Sequence, residues 1–134
     1  MCKELAASGV PETVQHDDLH MANVYARGRR LRVLDWGDAS ISHPFASLLV
    51  TFRFIGRAAR LPPQDPRFTR LRDAYLEAWG PGLTDVFALA LRIAAFAHTF
   101  TWVRHRDQIA GGERGEFDRL FAIALRQALA EVRG

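Results

Sequence analysis

His16-Asp17-Asp18-Leu19-His20-Met21-Ala22-Asn23, and after it Leu34-Asp35-Trp36-Gly37-Asp38, is the stretch from which the rest of the chain is read. It gathers three side chains able to handle a metal ion or a proton, Asp18, Asn23 and Asp35, around one turn-rich connection. Apolar, β-prone residues precede Asp35 and polar residues follow it, which is how a strand delivers a carboxylate to a sheet edge. Between the two motifs, Asn23-Val24-Tyr25-Ala26, Arg27-Gly28-Arg29-Arg30 and Leu31-Arg32-Val33-Leu34 read as a β-hairpin with Gly28 in its turn. Such a hairpin folds Asp35 back beside Asn23, so that residues 12 apart in sequence can share one ion.

Phosphoryl transfer asks little covalent chemistry of a protein but does ask for placed charge. It needs a carboxylate to orient the attacking hydroxyl and oxygen ligands for magnesium. The order His-x-Asp-x-x-x-x-Asn, then Asp-x-Gly, supplies these parts as His16, Asp18, Asn23, Asp35 and Gly37.

These residues resemble the catalytic and metal-binding segments of the aminoglycoside phosphotransferase and choline kinase-like family, relatives of the protein kinases. Pro44 extends the likeness, and the helical remainder does so more weakly. The resemblance implies that Asp18 orients the acceptor hydroxyl or acts as its base. It implies that Asn23 and Asp35 hold Mg2+ with ATP as phosphate donor, and that His16 and His20 brace the loop. Trp36 stands where the protein-kinase motif has Phe, which implies packing beneath the metal site. Asp38 is expected to fix the loop or face the acceptor. Asp17 departs from the glycine common at its position.

Other readings of the same residues stand beside these. Asp18 can cap a turn and Asp35 can end a strand. His16-x-Asp18-x-His20 superficially matches hydrolase metal motifs, but a zinc or binuclear site needs further ligands from other loops, with His43 a candidate extra. His98 and His105 fall on an expected helix as packing or surface residues. Trp79, Trp102 and Phe96 to Phe100 read as core aromatics at helical spacing.

The helices follow from periodicity and punctuation. Cys2 to Ala7 is helix-prone and is stopped by Ser8-Gly9-Val10-Pro11; Thr13-Val14-Gln15 is a short strand before the first motif. Leu48, Leu49, Phe52 and Ile55 recur at helical spacing within Phe45 to about Arg60, with Pro44 suited to the first helical position. Further helices are expected over roughly Pro66 to Trp79, from Thr84 to about Arg104 as a central buried helix, and from Glu113 or Glu116 to Val132. The expected architecture is α+β, mostly α: a short β-hairpin and catalytic loop packed on a helical bundle. It is read as one partial domain over residues 1–134, part of a protein-kinase-like C-terminal lobe whose N-terminal nucleotide-binding lobe is absent.

Composition bounds the function. At 134 residues, 49% hydrophobic and 25% charged, the chain is ordinary for a globular protein of one domain. No apolar run is long enough to span a bilayer and no basic-then-apolar leader opens the chain, so no membrane association and a cytoplasmic location are expected. Cys2 stands alone, which excludes an internal disulfide and a cysteine-based zinc site. The net charge is a modest +3, and Arg27, Arg29, Arg30 and Arg32 around the turn read as a solvated surface, so no nucleic-acid partner is expected. From Leu61 onward nine acids face ten arginines, too even a balance for a strong polycation pocket. The local cluster Glu113, Glu116 and Asp118 suits a helix N-terminus.

The 18 basic residues include one lysine, Lys3, in a helical segment, and there is no glycine-rich loop. A nucleotide site needs both a phosphate-contacting lysine and a covering loop. The leading expectation is therefore the catalytic C-lobe of an ATP-dependent phosphotransferase acting on a small-molecule hydroxyl acceptor, inactive alone. The alternatives are a noncatalytic interaction module that meets the missing lobe, a partner or itself, and a metal-dependent hydrolase centred on His16, Asp18 and His20.

Overall fold

The computed structural model of the chain describes residues 1–105, 109 and 111–133. Among them are five α-helices and two small antiparallel sheets, an α+β fold dominated by helix. No helix among the described residues is long and apolar enough to cross a membrane. Two compact units are distinguished, Met1–Leu91 and Arg92–Gly134.

In the first unit, α1 (Cys2–Ala6) precedes Gly9, whose φ of 75° is the left-handed stop that the Ser8-Gly9 punctuation foretells. Strand β1 (Thr13–Gln15) leads into the first motif, and one turn of 3-10 helix covers Met21–Asn23. The hairpin then forms from β2 (Val24–Arg27) and β3 (Arg30–Val33), paired from Val24↔Val33 to Arg27↔Arg30. Its two-residue loop has φ 59° at Gly28, with Arg29 at negative φ, the sign pattern of a type II′ turn.

A strand that periodicity did not reveal, β4 (Ser40–Ser42), pairs with β1 in the register Thr13↔Ser42, Val14↔Ile41, Gln15↔Ser40. Three residues of Ser-Ile-Ser are too short to show an alternation. Only the pairing with β1 makes them a strand.

The helix expected from Phe45 begins later, as α2 (Leu48–Ala58). Ahead of it, Ala46 N–H bonds His43 C=O and Leu48 N–H bonds Phe45 C=O, so residues 44–47 form tight turns and Pro44 is not a first helical residue. Pro44 and Phe45 are instead the largest fully buried side chains. Tyr75 Oη donates to the Pro44 carbonyl at 3.0 Å. Gly56 gives α2 a close neighbour: a Cβ there would stand 3.3 Å from the Phe68 ring.

Helix α3 (Pro66–Leu76) starts with Pro at its first turn and Asp65 as N-cap. Asp65 Oδ1 accepts from Arg67 N–H at 3.0 Å and from Arg67 Nε at 2.8 Å. Chiefly through that side-chain bond, Arg67 holds the Asp65 carboxyl down to about 2. The Asp65 carboxylate therefore stays ionised through the acid range in which ordinary aspartates titrate.

The core of this unit is Phe45, Leu48, Leu76, Phe87 and Ala90, with Phe52, Tyr75 and Trp79 packed around it. The Phe45 ring meets Tyr75, Trp79 and Phe87 at centroid distances of 5.9, 5.8 and 5.7 Å, within the range of favourable aromatic pairs. Trp79 is thus a core aromatic, as its spacing suggests.

Helix α4 (Thr84–His105) is buried along a stripe rather than on all sides: Phe87, Ala90, Ala94 and Ala95 are covered while Ala88 and Ala97 are exposed. In the second unit, Phe96 and Phe100 meet edge to face at 4.9 Å, but Phe100 is 46% exposed and does not serve as core. Helix α5 (Arg114–Arg133) carries Glu116 in its first turn, where negative charge suits the positive end of the helix. The side chains of Trp102 and His105 lie outside the described residues.

Candidate active site

The first motif is shaped by a backbone turn about Asp17. Asp18 N–H bonds His16 C=O at 2.6 Å, and Asp17 takes φ 55°, a left-handed conformation that glycine enters freely and aspartate at a cost. The turn explains why glycine suits this position. Asp17→Gly should therefore raise the stability of the chain by a few tenths to 1 kcal/mol, and Asp17→Val should lower it by 1–2 kcal/mol, both approximate. Urea unfolding of the two variants checks this; equal midpoints would show that the turn carries no strain.

The turn presents Asp18 with its side chain 44% exposed. His20 and Asn23 approach one of its oxygens: Oδ2 lies 3.4 Å from His20 Nε2 and 3.4 Å from Asn23 Nδ2. His20 Nδ1 accepts from Ala22 N–H at 3.2 Å, so in the neutral ring the proton is on Nε2, facing Asp18. The His20 ring lies flat on Phe54 of α2, centroids 4.9 Å apart. Asn23 Nδ2 also donates to the Asp18 carbonyl at 3.0 Å. The NH2 group of Asn23 is thus engaged with Asp18.

The hairpin closes as the sequence suggests. Leu34 N–H bonds Asn23 C=O at 2.8 Å, and Leu34 C=O accepts from His16 Nε2 at 2.7 Å. Both backbone groups of the residue before Asp35 are thus tied to the first motif. His16 is 4% exposed and meets Trp36 edge on at 4.9 Å, while Trp36 Nε1 donates to Val33 C=O at 3.0 Å. Trp36 therefore packs on His16, about half exposed. Asp35 has φ 62° and is exposed, and Asp38 sits exposed in the turn from Trp36 to Ala39, closed by Ala39 N–H on Trp36 C=O.

Two polar residues, Ser47 at the start of α2 and Thr51 within it, were not singled out in the sequence and hold the loop from below. Ser47 Oγ donates to Gln15 Oε1 at 2.7 Å, and Thr51 Oγ1 donates to Leu19 C=O at 2.6 Å. The signal that would have found them is a pair of hydroxyls four residues apart on an amphipathic helix. Beside them lies a cavity of about 360 Å³ lined by Leu19, His20, Val24, Ala26, Thr51 and Phe54.

The amide oxygen of Asn23 and the carboxylate of Asp35 are oxygen donors of the type magnesium takes. The ring nitrogens of His16 are both taken up by the fold. His16 Nε2 carries the proton it gives to Leu34, and its Nδ1 is buried. Among the described residues no group of three or more His, Cys, Asp and Glu is arranged to hold a metal. His43 is buried against Phe45, its Nδ1 accepting from Phe45 N–H at 3.4 Å; burial pushes its pKa down, partly opposed by Glu12.

The sequence model of the phosphotransferase enzyme family matches residues 1–92, the span that holds every residue of this site. No curated protein and no solved structure matches the chain.

Proposed function

Because this chain belongs to the phosphotransferase enzyme family, we propose that it is the catalytic portion of an ATP-dependent transferase that phosphorylates the hydroxyl of a small molecule. The observation that carries the reading is Asn23. Its side chain bonds the Asp18 carbonyl while its backbone carbonyl takes the N–H of Leu34, so one residue links the loop of Asp18 to the strand end of Asp35.

On this reading Asp18 accepts the hydrogen of the acceptor hydroxyl and aims its oxygen for in-line attack. His20 and Asn23, on Oδ2, leave Oδ1 of Asp18 to meet that hydroxyl. Asn23 and Asp35 hold Mg2+ through oxygen. Bound Mg2+ and ATP supply the transferable phosphoryl group and the neutralisation of its charge. His16 fixes the strand end and Trp36 covers His16.

Lys3, the one lysine of the chain, lies on α1 rather than on a strand, and the sequence has no glycine-rich loop. These 134 residues alone are therefore expected to transfer little or no phosphate. A noncatalytic interaction module is the second reading, favoured by Val14 and Ile41, cross-strand partners on one face of the β1–β4 pair that are 63% and 74% exposed.

One experiment separates the two. The endogenous polypeptide carrying residues 45–134 is captured with an antibody, its mass is measured, and it is incubated with γ-labelled ATP, Mg2+ and a panel of hydroxyl-bearing small molecules. A species heavier than 15.1 kDa that labels one acceptor class supports the transferase. A 15.1 kDa species that labels nothing and elutes with a partner supports the interaction module.

A further inference from the structure

We infer that His43 is an acid-sensitive latch on the turn that seats α2: neutral it lies inside and holds the turn, and protonated it swings out beside Glu12 and lets go. The inference does not depend on the transferase reading. It rests on a buried ring whose two nitrogens are placed unequally.

His43 Nδ1 accepts from Phe45 N–H at 3.4 Å, so the neutral ring carries its proton on Nε2. Nε2 is closed off from solvent and has no hydrogen-bond partner among the described residues. The residues that enclose it belong to this chain, so nothing that binds at the surface reaches the atom unless the ring first moves. A buried donor left unpaired is a place where strain is stored.

A second proton makes the position worse. It can go only to Nδ1, which turns the acceptor of the Phe45 N–H into a donor facing a donor. It also sets a full charge edge on to the Phe45 ring, centroids 4.8 Å apart, at the centre of an apolar cluster. The charged ring is therefore driven from its seat.

The way out leads towards β1. Strands β1 and β4 pair as Thr13↔Ser42, and one further step of the same register sets Glu12 opposite His43. Glu12 is exposed, and its carboxylate acts on the ring against the effect of burial. To the same core α2 brings Leu48 and Phe52, and α4 brings Phe87 and Ala90. From α3 comes Tyr75, whose hydroxyl burial keeps protonated, and α1 contributes Leu5, with Lys3 and Glu4 exposed. Glu12 is thus the anion set to receive the ring.

The latch holds more than itself. Ala46 N–H bonds His43 C=O, and Ser47, at the end of the same turn, donates to Gln15 ahead of the first motif. Loss of the Phe45 bond loosens the start of α2 and, through Ser47, the support of the Asp18 loop. Burial holds the folded His43 below its ordinary 6.5, with Glu12 partly opposing. An unfolded chain takes up that proton near 6.5, the folded chain only at lower pH. The contribution of His43 to stability is therefore complete above 6.5 and is lost as pH falls from there to the folded value.

Two measurements on the full chain test this. The first is NMR titration of the histidine ring Cε1–H signals from about pH 8 to about pH 4.5, with the His43 signal identified by its through-space contact with the Phe45 ring. The His43 midpoint should lie below 6.5, and Glu12→Gln, a change at an exposed residue, should move it lower still. The second is urea unfolding followed by tryptophan fluorescence, compared with His43→Asn, whose amide oxygen takes the Phe45 N–H and cannot titrate. Relative to that variant, the folding constant of the parent should fall severalfold between about pH 7.5 and 5.5, by about tenfold at most for each pH unit.

Three results would overturn the proposal. A His43 midpoint at or above 6.5 would show that the ring is not held neutral. Equal pH dependence in the parent and His43→Asn would show that the proton is not coupled to the fold. An unmoved midpoint in Glu12→Gln would remove the outward position beside Glu12. Assignment through the Phe45 contact keeps the first and third decisive even where His43→Asn fails to fold.

Discussion

Asp18→Asn is expected to cut phosphoryl transfer by the endogenous polypeptide about 10²- to 10⁴-fold, the span that loss of a positioned proton acceptor produces, while leaving the melting curve in place. The substitution keeps the size of the side chain and removes its charge. One amide oxygen still receives a hydrogen bond from His20 or Asn23, which both lie 3.4 Å from Asp18 Oδ2. What disappears, on the proposed transferase reading, is the acceptor for the substrate hydroxyl. The loss should fall on kcat with KM little changed, because the interaction strengthens as the proton moves. Activity within a few fold of the parent would refute the role of Asp18, and a collapsed melting curve would show that the residue is structural.

Phe45→Ala is expected to destabilise the first unit by about 3–5 kcal/mol, the usual effect of deleting a buried phenylalanine. Its ring is fully buried and touches three other aromatic rings as well as His43. Domains of this size are stable by only about 5–15 kcal/mol in total, so this one change should unfold a large fraction of the chain at 37 °C. Phe100→Ala is the control: at 46% exposure it should move the urea midpoint far less. Equal shifts for the two would mean that Phe45 is not the centre of the core.

Most of this architecture is legible in the amino-acid sequence, and the exceptions share a cause. The hairpin is legible because Gly28 and the alternation of Leu31 and Val33 with arginines act locally. The same locality reveals the helix start at Pro66 and the stop at Gly9. Strand β4 is not legible, because its hydrogen bonds go to β1: its central pair, Val14 and Ile41, is 27 residues apart, and no local pattern records it. The late start of α2 is hidden for a related reason. Phe45 has helical spacing with Leu48 and Leu49, but burial of Pro44 and Phe45 and the bonds from residues 46 and 48 back to 43 and 45 give residues 44–47 to turns.

In the site, the motif names Asp18, Asn23 and Asp35, and the hairpin predicts that Asn23 and the end of β3 meet, as the Leu34 bond shows. The motif says nothing of Ser47 and Thr51, whose partners at Gln15 and Leu19 are 32 residues away.

Ser47 and Thr51, one helical turn apart, grip the residues on either side of the Asp17 turn, Gln15 before it and Leu19 after it. The segment between, with Asp18 at its crest, is therefore carried by α2 as a tool is carried by its handle. A closely packed interior is stiff and transmits strain. A molecule that tilts α2 by pressing on Phe54 would move the carboxylate without ever meeting it. On the transferase reading, a misplacement of about 1 Å can cost two orders of magnitude in rate, so the grip of Ser47 and Thr51 on the Asp17 turn is what keeps that carboxylate in place.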